Sequence, residues 1–476
     1  MKEKSQNLKN VFMVVTSNIL TIVVNLFNGF VIPKQLEVTE YAYYRVYMLY
    51  IAYAGLMHLG FVNGIYLKYG KYNQDDLPKE KFRSLGMVMF VLQSIVVLIL
   101  GVALFATRNG MDRNVAIAYA FLIINIPLVN IKWFYSSINQ FTKMFVRDSY
   151  VTYAQNLMML AMVIIITVTK WYNFIVILTF TTIINFVCML AVMIQNHSIV
   201  IGKQQDHIWN EAKSLIQSGF FLMLSEFVAI IILGIDSIFV QNLFSTEEFA
   251  MYSFAVSIIS VIYSMISVVS NLVYPYLVRA DETKYAVYYT LMSDVLTFFS
   301  LMSLLSFFIA KFIVVTWVGQ YTRSLEITAI LFGTIVFRTI IMLVGGNYFK
   351  ALKLVKLYSY NNVFAIVLSI ILNMIAYFSF GDYRYIAYAS LASFIIWYLV
   401  TDYTFVKRLC IKPITCIRRY LCIIVSECIF YLVYQQDSIR AFIIYGCSTL
   451  VACLFFFRKQ IAILVNQLKA GKNDEN

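Results

Sequence analysis

The chain has 476 residues, of which 61% are hydrophobic, 17% aromatic and 13% charged, against about 25% charged in an ordinary soluble domain. Its mean hydropathy of +0.78 means more apolar surface than water can solvate, which leaves lipid as the solvent. The formal charge of +13 is spread through short loops and forms no basic domain, so nucleic acid is not an expected partner.

A spanning helix needs about 20 apolar residues. Candidate spans follow in order at 10–32, 41–66, 84–106, 115–139, 150–169, 173–194, 218–240, 249–274, 289–316, 326–348, 361–379, 384–405, 419–434 and 439–456. The expected fold is therefore all-α, a polytopic membrane protein of about fourteen transmembrane helices. Lys2, Lys4 and Lys9 precede an apolar run to Ile32 with no small-x-small cleavage site, which reads as a first span and not as a removed signal peptide.

Lysine and arginine test this map. The N-terminus and the loops after even-numbered spans carry 26 of them, and the opposite loops carry 7: Lys34, Arg108, Arg113, Lys170, Arg323, Arg384 and Arg440. By the positive-inside rule both termini are expected in the cytoplasm. The outer loops, such as Lys170–Asn173, are too short to fold as a catalytic domain, so an enzyme is not expected. The longest loop, residues 195–218, is polar and is expected to hold a short surface helix.

An internal repeat divides the chain. Leu36-Glu37-Val38-Thr39-Glu40-Tyr41-Ala42-Tyr43-Tyr44 returns as Leu243-Phe244-Ser245-Thr246-Glu247-Glu248-Phe249-Ala250-Met251-Tyr252. Ser137-Ile138-Asn139-Gln140-Phe141 returns as Gly345-Gly346-Asn347-Tyr348-Phe349, an offset of 208. Two pseudo-symmetric six-helix lobes are expected, 1–200 and 201–406, followed by 407–476 with two appended helices and a tail. Repeats of spanning helices are a transporter signature.

These stretches carry a family resemblance. Pro33 to Tyr44 is similar to a "P-x-x-L-G-x-x-E-Y-G-x-Y" motif, with Glu37 and Ala42 in place of glycines. Asp236 to Tyr252 resembles an Asp-led seventh span and the loop after it. Gly346 to Leu399, including Phe380-Gly381-Asp382-Tyr383-Arg384, resembles a "Y-G-x-x-G-A-A-x-A-T" motif. The chain thus resembles the multidrug/oligosaccharidyl-lipid/polysaccharide exporter superfamily, and within it the Wzx-type flippases of O-antigen, capsule and exopolysaccharide repeat units. The resemblance implies a bacterial cytoplasmic-membrane protein whose two lobes alternate in access. It also implies an undecaprenyl-diphosphate-linked oligosaccharide as substrate, turned from the cytoplasmic to the outer leaflet. Polymerase and chain-length components of the same pathway would then be partners, beside membrane lipid. No cofactor is expected; coupling to a sodium or proton gradient is left open.

Charges inside the spans each need a reason, because a cation at mid-bilayer costs about 2.5–3.5 kcal/mol on insertion scales. Arg338 in span ten and Lys132 in span four are the deepest. By the 208 offset Arg338 matches Asn130, two residues from Lys132. Both are candidate ligands of a diphosphate, with snorkelling as the competing explanation for Lys132. Arg45 and Lys311, nearer the outer side, serve equally well as cavity cations or interfacial anchors. Asp236 and Glu226 in span seven are candidates for ion coupling or interlobe pairing, and Glu427 on the appended span thirteen is given a lipid-facing or packing role. Pro127 is a candidate hinge in span four. The cysteines at 410, 416, 422 and 428 are six residues apart, which scatters them around a helix and argues against a metal site.

Two other functions compete. A drug or cation antiporter would want acidic residues facing its cargo, whereas Lys132 and Arg338 suit an anion. A polysaccharide polymerase or glycosyltransferase needs an extramembrane domain or an acidic metal site. Asp75-Asp76 is the only acidic doublet in a long loop, and it stands without a domain around it.

The charge asymmetry fixes a labelling pattern. On a background without the seven native cysteines, an impermeant thiol reagent added outside cells should modify Asn109→Cys and spare Gln74→Cys. The reverse pattern would overturn the orientation.

Overall fold

The computed structural model describes residues 2–278 and 281–473, with side chains described except at 2–11, 225, 226, 229, 233, 267–276, 278, 282, 355 and 459–473. Seventeen α-helices follow in order. They are α1 (Lys2–Gln35), α2 (Val38–Ile51), α3 (Phe61–Tyr69), α4 (Lys79–Thr107), α5 (Arg113–Phe141), α6 (Phe145–Thr169), α7 (Phe174–Gln195), α8 (Trp209–Leu243) and α9 (Thr246–Val278). Then come α10 (Tyr285–Ser303), α11 (Leu305–Trp317), α12 (Leu325–Ile340), α13 (Gly346–Ala351), α14 (Val355–Phe380), α15 (Tyr383–Arg408), α16 (Pro413–Val433) and α17 (Ser438–Asn473). Among the described residues eleven helical segments are long and apolar enough to cross a membrane, or twelve if the bent α2–α3 pair is one span. The protein is an all-α, multi-pass membrane protein. The helices α8 and α16 stand where the sequence places its seventh and thirteenth spans but are not among these segments; α16 carries Arg418, Arg419 and Glu427, which dilute its apolar character.

The chain forms two compact units: Met1–Gln241 with Ser245–Ala250, and Asn242–Phe244 with Met251–Asn476. The sequence reading drew the boundary at 200. Contacts draw it after α8, because α8 packs backbone to backbone on α3. Gly60 and Gly64 form a small-xxx-small pair that lets helices approach closely. A Cβ on Gly64 would lie 2.0 Å from the Leu215 carbonyl oxygen, and one on Gly219 would lie 2.0 Å from that of Gly60. Leu59 and Gly60 both take positive φ, 53° and 81°, and the second span is thereby bent by 53° between residues 38–58 and α3. A sequence of apolar residues from 41 to 66 does not announce that break. Lys68 then pairs with Glu211 at 2.7 Å, and the Tyr69 hydroxyl donates to the same carboxylate.

The long loop after α7 differs from expectation. It contains only a 3₁₀ turn at His197–Ile199, and α8 begins nine residues before the apolar run at 218. Arg83 fastens the loop: its Nε and Nη2 donate to the Ser198 carbonyl at 3.1 and 2.7 Å, and its Nη1 to that of Lys203 at 3.0 Å.

In the second unit α12 is the central pillar. Every residue from Leu325 to Ile340 except Glu326 is buried, and 94% of its apolar window is enclosed. A helix apolar on all sides needs neighbours on all sides; α10, α11, α15 and α16 supply them.

The repeat is visible in backbone detail within each unit. The breaks after α1 and α8 fall 208 residues apart. The turns that end α5 and α13 are the same: Met144 N–H donates to Asn139 O and Leu354 N–H to Phe349 O, with Lys143 and Lys353 at φ 62° and 57°. These turns are 210 residues apart, so the second sequence match slips by two. A π-turn at Ile341–Gly345 inserts an extra residue per turn closed and accounts for part of the slip. Asn173 and Asp382 then cap α7 and α15 alike, each accepting from the N–H two residues on.

The glycine contacts give a stability prediction. Gly219→Ala should force α8 off α3 and cost about 1–3 kcal/mol as overpacking. Gly101→Ala, where a Cβ meets nothing within 4 Å, should not destabilise. Thermal unfolding in detergent compares them; equal midpoints would show that the close approach is dispensable.

Candidate functional site

Arg338 ends the central helix α12, just before the π-turn. Its side chain is 5% exposed, its guanidinium carbon lies 3.4 Å from the Tyr263 ring centroid, and its Nη1 has no hydrogen-bond partner. The Tyr263 hydroxyl is held by Thr334 one turn back on α12. Among the described residues no carboxylate pairs with Arg338. A stacked ring offers a guanidinium a quadrupole but no negative charge. The site is thus a buried cation with an unsatisfied donor, which is chemistry suited to an anion.

The other residues singled out in the sequence separate. Lys132 lies on α5 in the first unit, and its ammonium donates to Gln155 Oε1 on α6 at 2.5 Å. Asn130, matched to Arg338 by the sequence repeat, is fully buried and donates to Ala54 O and Gln93 Oε1, both at 2.9 Å. With the 210-residue spacing at the helix ends, Lys132 and Arg338 occupy equivalent helices but not equivalent turns. Arg45 on α2 is half-buried, and its Nε has no partner. Lys311 on α11 donates to the carbonyls of Tyr434 and Gln436 at 2.7 and 2.6 Å; it closes the C-terminal end of α16, where carbonyls lack helical partners. Asp236 is buried on α8, within electrostatic reach of Tyr53. Glu226 lies in α8, but its side chain falls outside the described residues. α5 runs unbroken through Pro127.

Sequence reasoning missed the most fully buried charges. Arg419 was counted with a cytoplasmic loop, yet it is 0% exposed. Its Nε donates to Asp294 Oδ1 on α10 at 2.9 Å and its Nη1 to Asp402 Oδ1 on α15 at 3.0 Å. Asp402 also accepts from the hydroxyls of Tyr289 and Tyr420, at 2.7 and 2.5 Å. The available signal was Arg419 at the first apolar residue of span thirteen, together with two acids inside spans nine and twelve. The spaced cysteines scatter as expected, Cys410 and Cys428 exposed and Cys416 and Cys422 buried.

At the turn between α14 and α15, Arg384 pairs with Asp382 at 2.6 Å and Glu326 at 3.3 Å, and the Arg384 guanidinium holds the Asp382 carboxyl below its usual range. A cavity of about 70 Å³ in the first unit is lined by Gln74, Asp75, Lys79, Thr142, Asn196 and Ser198, among others.

No protein-family model matches the chain, and no curated protein matches it by sequence. Solved structures do. The chain is similar to "Lipid II flippase MurJ, inward closed conformation", at a TM-score of 0.72 and 14% identity over 94% of this chain and 100% of that one. A MOP superfamily transporter from Pyrococcus furiosus, described as having a binding pocket of reverse polarity, matches at 0.49 and 12% identity, covering 85% and 95% of the two chains. An outward-facing multidrug resistance MATE transporter of the MOP superfamily matches at 0.47 and 11%, covering 83% and 95%. The likeness to the flippase is one of fold, and it runs the whole length of that protein.

The buried cluster generates a prediction. Arg419→Met should leave two buried carboxylates unpaired and cost about 3–5 kcal/mol, read as lost folded protein in the membrane. Adding Asp294→Asn and Asp402→Asn should recover much of it. A stable Arg419→Met single variant would show that the cluster is not needed to fold the second unit.

Proposed function

We propose that this chain is an alternating-access flippase. Its cargo would be an undecaprenyl-diphosphate-linked oligosaccharide repeat unit, moved from the cytoplasmic to the outer leaflet of the bacterial cytoplasmic membrane for surface-polysaccharide assembly. The observation that carries the reading is Arg338, a guanidinium buried within a membrane-spanning fold without a carboxylate among the described residues. A fixed cation in that setting selects an anion, and a lipid-linked diphosphate is the anion that a membrane transporter meets in the bilayer. The full-length likeness in fold to a lipid II flippase supports a lipid-linked cargo. The charge asymmetry supports cytoplasmic termini. Lys132 is proposed as a second phosphate ligand in the first unit, acting as a point charge. Asp236 stays a candidate for ion coupling.

Deleting the gene should abolish surface polysaccharide while the undecaprenyl-linked intermediate accumulates inside. Intact polymer with raised sensitivity to cationic drugs would replace this reading with a drug antiporter.

Arg338 is tested by graded substitution. A guanidinium binds phosphate bidentately and an ammonium does not, so Arg338→Lys should impair export, and Arg338→Ala should impair it more. The loss of a charge-assisted hydrogen bond, about 1.5–3 kcal/mol, corresponds to roughly ten- to a hundredfold in affinity. Lys132→Arg should be tolerated better than Lys132→Ala. Export is normalised to the amount of inserted protein; normal export by Arg338→Ala would end the ligand assignment.

A further inference from the structure

α16 presents one buried stripe: Cys416, Arg419, Cys422, Ile423, Ser426, Glu427, Phe430 and Val433. At its start is the Arg419 cluster, one cation between two carboxylates, which leaves a formal negative charge. Two turns on lies Glu427. It is 9% exposed, and neither of its carboxyl oxygens has a hydrogen-bond partner. Among the described residues no lysine or arginine pairs with it. Between the two, the Ser426 hydroxyl is buried and unpartnered, and Cys422 Sγ lies 3.8 Å from Cys453 Sγ on α17.

A lone carboxylate is a state that a membrane-buried interior does not hold; the group takes up a proton instead. The surroundings favour a proton over sodium, because a hard metal cation needs several oxygen ligands at once. Here α12 offers Glu427 the face of Gly333, where an added Cβ would lie 2.3 Å from the Tyr431 hydroxyl oxygen and 3.0 Å from Glu427 Oε2, and α15 brings Leu391 to the same spot; a single phenol beside the carboxyl is too few oxygens for such a cation. The other titratable groups on this face are phenols, thiols and one acid. Tyr431 on α16 donates to Ile330 O at 3.3 Å and has Tyr388 of α15 and Tyr434 nearby. Tyr445 on α17 donates to Leu301 O at 2.8 Å. Asp294 on α10 lies toward the Arg419 end, beside Cys422.

We propose that Glu427 is a proton-binding site that couples transport to the pH gradient. The carboxyl is protonated while α16 lies against Gly333 of α12, and it releases its proton when that packing opens to water. Gly333 and Arg338 stand on the same helix, five residues apart, so a movement of α12 that frees the anion site also changes the cover over Glu427. The coupling half of this proposal rests on the transport reading; the binding half does not.

The experiment separates them. Infrared difference spectra of the purified protein in lipid nanodiscs, taken between acid and alkaline pH, should show the carbonyl stretch of a protonated carboxyl. That band should vanish in Glu427→Gln and move in Glu427→Asp, which also shows whether the site tolerates substitution. A band unchanged in both variants would overturn the proton site. In proteoliposomes, movement of lipid-linked oligosaccharide should accelerate severalfold with an imposed pH gradient in the unsubstituted protein and lose that response in Glu427→Gln. An equal response in both would overturn the coupling. A protein that shows the band yet moves no lipid-linked cargo would refute the flippase reading and leave the proton site standing.

Discussion

The second unit depends on one guanidinium. Arg419 reaches from the start of α16 to Asp294 on α10 and Asp402 on α15, so a single residue ties an appended helix to two others around the pillar α12. In lipid there is little hydrophobic reason for one apolar helix to prefer another, and packing and polar contacts must choose. A buried ion cluster chooses strongly, because breaking it strands charge. Once α16 is placed, Tyr434 and Gln436 at its end come within reach of Lys311 on α11. That explains how α12 becomes enclosed on every side although it lies in a lobe whose counterpart helix α5 is far less enclosed.

The first unit solves the same problem with the absence of side chains. Gly60, Gly64 and Gly219 let backbones touch, and the positive φ at Leu59 and Gly60 turns α3 toward α8. Between α4, α5 and α7 its buried polar contacts are neutral, in contrast to the Arg419 cluster of the second unit: Asn130 to Ala54 and Gln93, Asn185 to Asn125, and Asn125 to Thr182. The two halves share the hydrogen-bond pattern of the turns at Lys143 and Lys353 and diverge in what fastens their helices.

The helices were legible in the sequence because lipid demands long apolar runs, and the loop cations confirmed their order. The repeat was legible at Leu36 and Leu243, where helix breaks do recur. It slipped by two at Asn139 and Phe349, in part because a π-turn adds length without altering composition. The bend at residue 59 was hidden for a related reason: an apolar run continues through it, and only Gly60 hints at the φ required. Arg419 was misplaced because it sits at the edge of an apolar run, where the positive-inside rule and a buried ion cluster predict the same letter. Glu427 reads from the sequence as lipid-facing or packed; burial rules out the first, and a sequence cannot show whether a lone acid meets a partner.

What each deep cation touches decides which of them remains available for chemistry. Arg419 is consumed by two carboxylates. Lys311 gives two of its three donors to helix-end carbonyls, whose partial charges hold it in place. Lys132 donates to one neutral amide oxygen, with the Asp148 carboxylate within electrostatic reach, which leaves two of its three donors for other partners. Arg338 lies over the Tyr263 ring and hydrogen-bonds to that side chain, while its Nη1 is left without a partner. A buried guanidinium with its Nη1 unpartnered keeps a charged donor for an oxyanion. A carboxylate partner would have given more stability at the same position, but it would also have occupied the donors that a diphosphate needs. The same logic applies to Glu427 with the sign reversed: an arginine opposite it would fix its charge for good. At Gly333 Glu427 meets the Tyr431 hydroxyl and Leu391, neither of which sets a fixed charge against it.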